Sequence, residues 1–94
     1  MNKSFELLLL MEVRSSISFG NVLGSDLHIE IDSKAGDPAK VTSAVISWGN
    51  HILSMRQMDK AMRELVPRIF ANPAARGAKM WIPFIKKAQE LGAV

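Results

Sequence analysis

Apolar and polar residues alternate along the first third of the chain. One face of the segment 5–14 is wholly apolar and carries Phe5, Leu7, Leu9, Met11 and Val13. The clearest alternation follows in the segment 27–32, where apolar Leu27, Ile29 and Ile31 interleave with polar His28, Glu30 and Asp32. A period of two is typical of a β-strand with one buried face. Residues 1–33 are therefore predicted to form strands paired as an antiparallel hairpin or small meander.

The stretch between these two segments is rich in turn-forming residues from Gly20 to Asp26. Gly tolerates positive φ angles, while Asn, Asp and Ser bond their own backbone, so such clusters favour chain reversal. A short middle strand over residues 17–19 is compatible with this arrangement. A second loop is predicted over residues 33–36.

A longer pattern with helical spacing begins at Asp37-Pro38. Asp is favoured as an N-cap residue and Pro at the first helical position, where its missing N–H costs nothing. Apolar residues then recur at spacings of three, four or a sum of the two, which indicates an amphipathic helix. They are Val41, Val45, Trp48, Ile52, Met55, Met62, Val66 and Ile69. This predicts a long helix over residues 37–70, with Gly49 inside it.

Pro67 interrupts this helical pattern. Proline lacks a backbone donor and clashes with the preceding turn, so the long helix should be kinked or should end near Pro67. A sharper hypothesis makes Pro67 a conformational switch, because an X-Pro bond can be cis and exchanges over tens of seconds or more. A cis Val66-Pro67 bond would redirect the residues that follow it.

Two further signals predict short helices over residues 72–92. Asn72-Pro73 repeats the earlier start signal, and Pro83 is expected to begin a helix that Gly92 ends. Residues 1–94 are thus predicted to be a single α+β domain. Its fold class is a small antiparallel hairpin or meander followed by two or three helices.

The composition excludes several classes of protein. The chain has 94 residues, of which 48% are hydrophobic and 22% charged, as in ordinary globular domains. It contains no Cys, which excludes disulfides, thiolate zinc sites and cysteine nucleophiles. The longest aliphatic run, residues 7–11, is far shorter than the roughly 20 residues of a membrane helix. A cytoplasmic protein is therefore expected.

The charge is divided unevenly along the chain. Residues 1–54 carry four Lys or Arg and six Asp or Glu, whereas residues 55–94 carry eight basic and three acidic residues. The C-terminal part is thus the electropositive end. Such asymmetry is typical of a protein that meets nucleic acid or an acidic protein surface, although helical domains also need charged faces for solubility.

No catalytic or cofactor motif stands out, so a protein with no enzymatic activity and no cofactor is expected. His28, Glu30 and Asp32 would share one strand face, and a His with two carboxylates is an acceptable set for a divalent metal. The solvated face of a half-buried strand explains the same residues without a metal. His51 has no His or Cys at metal-ligand spacing.

Two surface features are more suggestive. Met55, Met58 and Met62 lie at helical spacing and would either fill the core or line a surface that accepts a partner. Basic residues interleave with aromatic ones near the C-terminus, where they would contact phosphates and stack bases, or anchor a protein partner. The predicted partner-binding residues are Arg68, Arg76, Lys79, Trp81, Lys86 and Lys87, with Pro67 setting the geometry between the long helix and this patch.

The chain as a whole resembles the anti-RecBCD accessory proteins of lambdoid phages. The similarity lies in the leucine-rich start Phe5-Glu-Leu-Leu-Leu-Leu-Met11 and in the basic, proline-punctuated half from Met62 to Phe84. The resemblance implies a non-enzymatic phage protein that binds the host exonuclease–helicase complex and alters or inhibits it. It also implies that a host prolyl isomerase takes part. This would protect phage DNA ends and favour phage recombination.

The expected function is therefore binding and inhibition or modulation of a host DNA-processing or defence complex. A small basic DNA- or RNA-binding protein is the main alternative. A metal enzyme using His28, Glu30 and Asp32, and a self-associating structural protein, are the other two.

Overall fold

A computed structural model describes residues 11–72 and 77–92 of the chain. They form a four-stranded antiparallel sheet followed by two α-helices, which confirms the predicted α+β class. The strands, in the spatial order β1-β2-β3-β4, are β1 Glu12–Val22, β2 Ser25–Lys34, β3 Asp37–Trp48 and β4 His51–Ser54. The helices are α1 Lys60–Phe70 and α2 Ile82–Glu90, each preceded by a 3₁₀ turn, at Met55–Gln57 and Ala78–Met80 respectively.

Tight turns join the four strands into a meander. Leu23 and Gly24 both have positive φ, +53° and +96°, in the β1–β2 turn. Two-residue turns of this kind match the right-handed twist of the strands they connect. The β3–β4 turn uses Gly49, with a φ of +59° and Ser25 Oγ 3.0 Å from where a Cβ would stand. Glycine is therefore favoured there by the backbone conformation, and a Cβ would also make a tight contact with Ser25.

One face of the sheet packs against the helices and is called the inner face. Alternate residues of β2 and β3 lie on it and are buried, as the cross-strand pairs Leu27–Trp48 and Ile29–Ile46 show. The helices contribute the other half of the core through Met62, Val66, Ile69, Trp81, Phe84, Ile85 and Ala88. The opposite, outer face of the sheet has no helix against it among the described residues.

The prediction of a long helix over residues 37–70 is wrong for its first half. Residues 37–48 and 51–54 are strands, and α1 begins only at Lys60. The apolar spacing predicted a single helical face that included Val45 and Trp48. In the structure these two residues lie on opposite faces of β3. Asp37 does bond the backbone as an N-cap would, accepting from the Ala39 N–H at 3.2 Å, but at the start of a strand.

The predicted strands at the beginning of the chain are partly confirmed. The segment 27–32 lies wholly within β2. Residues 17–19 are not a separate short strand, because β1 runs without interruption from Glu12 to Val22. The first strand was predicted to begin at Phe5, and residues 5–10 lie outside the described part of the chain.

The start and stop signals predicted for α2 are confirmed, whereas the N-cap of α1 was not predicted. Asp59 is the N-cap of α1, its Oδ1 accepting from the Met62 N–H at 2.8 Å. Pro83 lies in the first turn of α2, and Gly92 follows that helix with a φ of +72°, as predicted. A short helix after Asn72-Pro73 was also predicted, but residues 73–76 are outside the described ranges.

The methionines predicted either to fill the core or to accept a partner belong to the core. Met58 and Met62 are buried, and Met55 and Met80 pack against the same cluster while half-buried. Trp48 lies in the core opposite Leu27, and its Nε1 donates to the Val22 carbonyl oxygen at 2.6 Å. None of the described helices is long and apolar enough to cross a membrane.

Candidate functional site

Apart from Arg56 on the first 3₁₀ turn, the described cations of the C-terminal part lie on the two helices and the 3₁₀ turn before α2. We call this set the helical basic surface; it comprises Lys60, Arg63, Arg68, Lys79, Lys86 and Lys87. All are exposed except Lys87, which is half-buried. They take exposed positions because Met62, Val66 and Ile69 of α1, and Phe84, Ile85 and Ala88 of α2, turn the apolar side of each helix toward the sheet.

The structure places four of the six predicted partner-binding residues on this surface. Arg68, Lys79, Lys86 and Lys87 belong to it. Arg76 lies outside the described residues. Trp81 was predicted to be a partner contact, but it is 0% exposed and packs edge-to-face with Phe84 at a ring-centroid distance of 6.1 Å. The prediction for Trp81 is therefore wrong, because the ring fills the core instead of facing a partner.

Among the described residues, no carboxylate lies within the ion-pairing distance of 4.0 Å from a cation of the helical basic surface. Within residues 11–72 and 77–92, ion pairs occur only between Arg14 and Asp32 and between His28 and Glu30, both on the outer face of the sheet. Acidic residues do occur on the helices, at Glu64 and Glu90, but neither lies within 4.0 Å of a cationic group. The surface therefore keeps an excess of positive charge, with six cations against the two helical carboxylates.

Pro67 lies inside α1, three residues before the helix ends at Phe70. The helix does not stop at Pro67 itself: the Pro67 carbonyl oxygen accepts from the Ala71 N–H at 3.0 Å, so the last turn is closed. No peptide bond in the described ranges is cis, so Val66-Pro67 is trans here. Pro67 is half-buried and directly precedes Arg68, so it adjoins the helical basic surface.

The outer face of the sheet carries a second polar cluster, around His28. The Nδ1 atom of His28 lies 2.7 Å from Ser18 Oγ, and its Nε2 atom lies 3.2 Å from Ser16 Oγ and 3.5 Å from Glu30 Oε1. The β1–β2 register brings these side chains together by pairing Ser18 with His28 and Ser16 with Glu30. Sequence reasoning missed the two serines, although Ser16 and Ser18 alternate with Ile17 and Phe19.

The three residues considered for a metal do share the outer face of β2, as the alternation predicted. Asp32, however, is held by a two-point contact with Arg14, at 2.9 Å to Nε and 3.1 Å to Nη2. No group of three His, Cys, Asp or Glu residues within the described ranges is arranged to hold a metal ion. The metal-enzyme alternative thus gains no support from this arrangement.

The Arg14 guanidinium lowers the pKa of Asp32 below its ordinary value of 3.8, chiefly through the side-chain hydrogen bond. The Ser43 hydroxyl, which donates to Asp32 Oδ2 at 3.1 Å, acts in the same direction. The same contact raises the pKa of Arg14. Hydrogen bonds and an opposite charge favour the ionised carboxylate, so this pair stays charged at neutral pH.

An open depression of about 270 Å³ lies where β4 ends and the chain enters the first 3₁₀ turn. Its lining is Thr42, Ser43, Ala44, Val45, Ser54, Met55 and Arg56. The lining has hydroxyl groups and one guanidinium but no carboxylate or imidazole. It therefore lacks the usual pair of groups for acid–base catalysis.

No family model, no curated protein and no solved structure matches this chain.

Proposed function

We propose that this protein is a non-catalytic binding module whose helical basic surface docks on an acidic surface of a protein partner. The observation that supports this is that, among the described residues, no carboxylate pairs within 4.0 Å with any cation of the helical basic surface, and that these cations outnumber the carboxylates of the two helices. Complementary potentials speed association and select partners, and unpaired cations on a rigid helical layer provide such a potential.

A protein partner is favoured over single-stranded nucleic acid by the burial of the aromatic rings. Non-specific single-strand binders combine a basic groove with exposed aromatic side chains on which bases stack. Trp81 and Phe84 are each 0% exposed, so neither ring offers a stacking platform. Of the two kinds of contact, this surface therefore offers only its cations to a nucleic acid.

A small basic DNA- or RNA-binding protein is the alternative. The exposed Lys and Arg side chains of α1 and α2 suit contacts with the phosphates of a duplex, which need no stacking. In that case the affinity falls with salt, with a log–log slope of about −0.9 per phosphate contacted. Binding to an acidic protein surface also weakens with salt, so nuclease treatment is what distinguishes the two functions.

The resemblance to phage accessory proteins extends the proposal to a specific partner class. On this extension the chain acts in the host cytoplasm and binds a host DNA-processing or defence complex, of which the exonuclease–helicase is the first candidate, and inhibits or modulates it. A host prolyl isomerase would act at Pro67. Only the resemblance in the leucine-rich start and in the proline-punctuated half supports this extension.

The experiment is a pull-down of the tagged protein from bacterial lysate, with and without nuclease, compared among three forms of the chain. The test variant is Lys79→Glu with Lys86→Glu, both exposed on the helical layer. The matched control is Lys34→Glu with Lys40→Glu, which makes the same change in net charge at the far end of the sheet. The thermal midpoint of each form shows that the fold is retained.

A stoichiometric protein that survives nuclease, is kept by the control and is lost by the test variant is the expected result. Equal retention by both variants would contradict the role of the helical basic surface. Recovery of nucleic acid alone, lost after nuclease, would select the alternative function.

A further inference from the structure

The first strand of the sheet is paired on one side only, within the part of the chain that the structure describes. Among the described residues β1 pairs only with β2, so its other side presents unpaired N–H and C=O groups. The opposite edge of the sheet is formed by the 4 residues of β4, which pair with residues 45–48, and by the earlier part of β3, which carries Pro38 and Lys40. Proteins usually blunt such edges with Lys, Pro or bulges, because an open edge is a template for another strand.

The edge of β1 carries charged side chains only at Glu12 and Arg14, near the start of the strand. The strand contains no Lys and no Pro. Its one irregularity in pairing lies between Ser18 and Gly20, near the end of the strand. The regular stretch therefore runs from Glu12 to Ser18, and Ser15 is its midpoint.

The inner face of this stretch also has apolar area that the helices do not cover. Ser15 pairs with Ile31 and Ile17 with Ile29, so the odd-numbered residues of this stretch face the side of the sheet where the core lies. Yet Val13 is 49% exposed and Ile17 is only half-buried. Burial of such a pair across a new strand interface would be favourable.

We propose that a second copy of this chain pairs with β1 in an antiparallel, two-fold symmetric register centred on Ser15. In such an interface residue i of one copy faces residue j of the other and the reverse. Val13 then faces Ile17 of the second copy on the inner face, and Ser15 faces its own counterpart. The two sheets join into one continuous sheet of eight strands.

The charges of β1 are compatible with this register. On the outer face Glu12 lies opposite Ser18 and Arg14 opposite Ser16, so no like charges meet directly across the interface. The Arg14 guanidinium stays paired with Asp32 of its own copy. A register centred on Ser16 would place Arg14 opposite Ser18 and leave Val13 opposite Phe19, within the irregular part of the strand.

The oligomeric state of the full chain tests the proposal by light scattering after size exclusion. The expected mass is twice the 10.4 kDa of one chain. The variant Val13→Lys should reduce it to one chain, because a charge would face Ile17 of the second copy. Ile52→Lys is the matched control, since Ile52 is 65% exposed on β4, away from this edge, and this variant should keep the doubled mass.

Cysteine cross-linking tests the register, and the chain has no Cys of its own to interfere. Ser15→Cys should give a disulfide-linked pair under mild oxidation, because residues directly opposite in an antiparallel pair lie within disulfide range. Ser16→Cys should cross-link far less. A monomer at all concentrations, a doubled mass retained by Val13→Lys, or preferential cross-linking of Ser16→Cys would each overturn the proposal.

This proposal does not depend on the helical basic surface. The pull-down variants lie outside β1 and the edge variants lie outside the helices. Failure of either proposal therefore leaves the other intact.

Discussion

The two faces of the sheet are made by the same strands but are stabilised in different ways. On β2, Leu27, Ile29 and Ile31 are at most 1% exposed and pack under the helices. Their neighbours His28, Glu30 and Asp32 lie on the outer face, where each contacts a polar side chain of a neighbouring strand or of β2 itself. The inner face removes apolar area from water, whereas the outer face satisfies polar groups that stay partly hydrated.

This difference bears on where a partner would bind. Asp32 and Glu30 on the outer face have local counterparts, so a partner would have to compete with Arg14, Ser43 or His28 for them. The cations of the helical basic surface have no such competitor within the described ranges. The helical side of the molecule is therefore the better place for an acidic partner, although both sides are polar and exposed.

The largest predicted change in the free energy of unfolding comes from truncating a side chain in the core between the inner face and the helices. Trp81→Ala should destabilise the protein by about 3–5 kcal/mol, because a fully buried indole leaves a cavity and the edge-to-face contact with Phe84 is lost. Chemical denaturation would measure it. Ile52→Ala on the outer face is the control and should cost no more than about 1 kcal/mol. Similar losses in the two variants would contradict the contrast between the faces.

An intermediate effect is expected where the helical layer is joined to the sheet. Asp59→Ala removes the side-chain acceptor of the Met62 N–H at the start of α1. Loss of an N-cap costs about 1 kcal/mol. Glu64→Ala, on the exposed side of the same helix, serves as the control and should change the free energy of unfolding by less than about 0.5 kcal/mol. A destabilisation by Asp59→Ala no larger than that of the control would show that the cap contributes nothing.

The smallest effect concerns the outer face and depends on pH. The pKa of Asp32 is lowered in the folded protein, so its contribution to stability is present above the unfolded pKa and is lost as the pH falls through the folded value. Wild-type protein should therefore lose more stability than Asp32→Asn as the pH falls from about 5 to below 3.8. Denaturation curves of both proteins at several pH values would measure this. Parallel pH profiles would show that the Arg14–Asp32 contact contributes nothing in solution.

Local signals predicted part of the fold correctly. The alternation around Leu27–Asp32 marked β2, and Pro83 with Gly92 bounded α2, because these features depend on a few neighbouring residues. The same logic failed at Asp37-Pro38. An Asp that bonds the backbone two residues on, followed by Pro, suits the start of a helix and of this strand alike. The signals that favour strand there are the β-branched residues at 41, 42, 45 and 46 and the turn-forming pair Gly49-Asn50.

The sequence predicted that the candidate site is basic, but not which of its residues are exposed. The excess of Lys and Arg after residue 54 can be counted from the sequence, and four of the six chosen residues do lie on the helical layer. Trp81 could not be placed in the same way. A Trp beside Lys and Pro is compatible with a surface anchor or a core residue, and only the packing of α2 against the sheet distinguishes the two.

The sequence by itself determined the order of strands before helices, the bounds of α2 and the electropositive C-terminal part, because each follows from composition or from a few neighbouring residues. The tertiary structure alone decided that residues 37–54 are strands and that Trp81 is buried. It also decided which charges are neutralised. A β-strand is stabilised by hydrogen bonds to a neighbouring strand. Residues 37–48 form a strand because they pair with the edge of β2 that β1 leaves open. Arg14 and Asp32 are 18 residues apart and meet only through the register of β1 and β2.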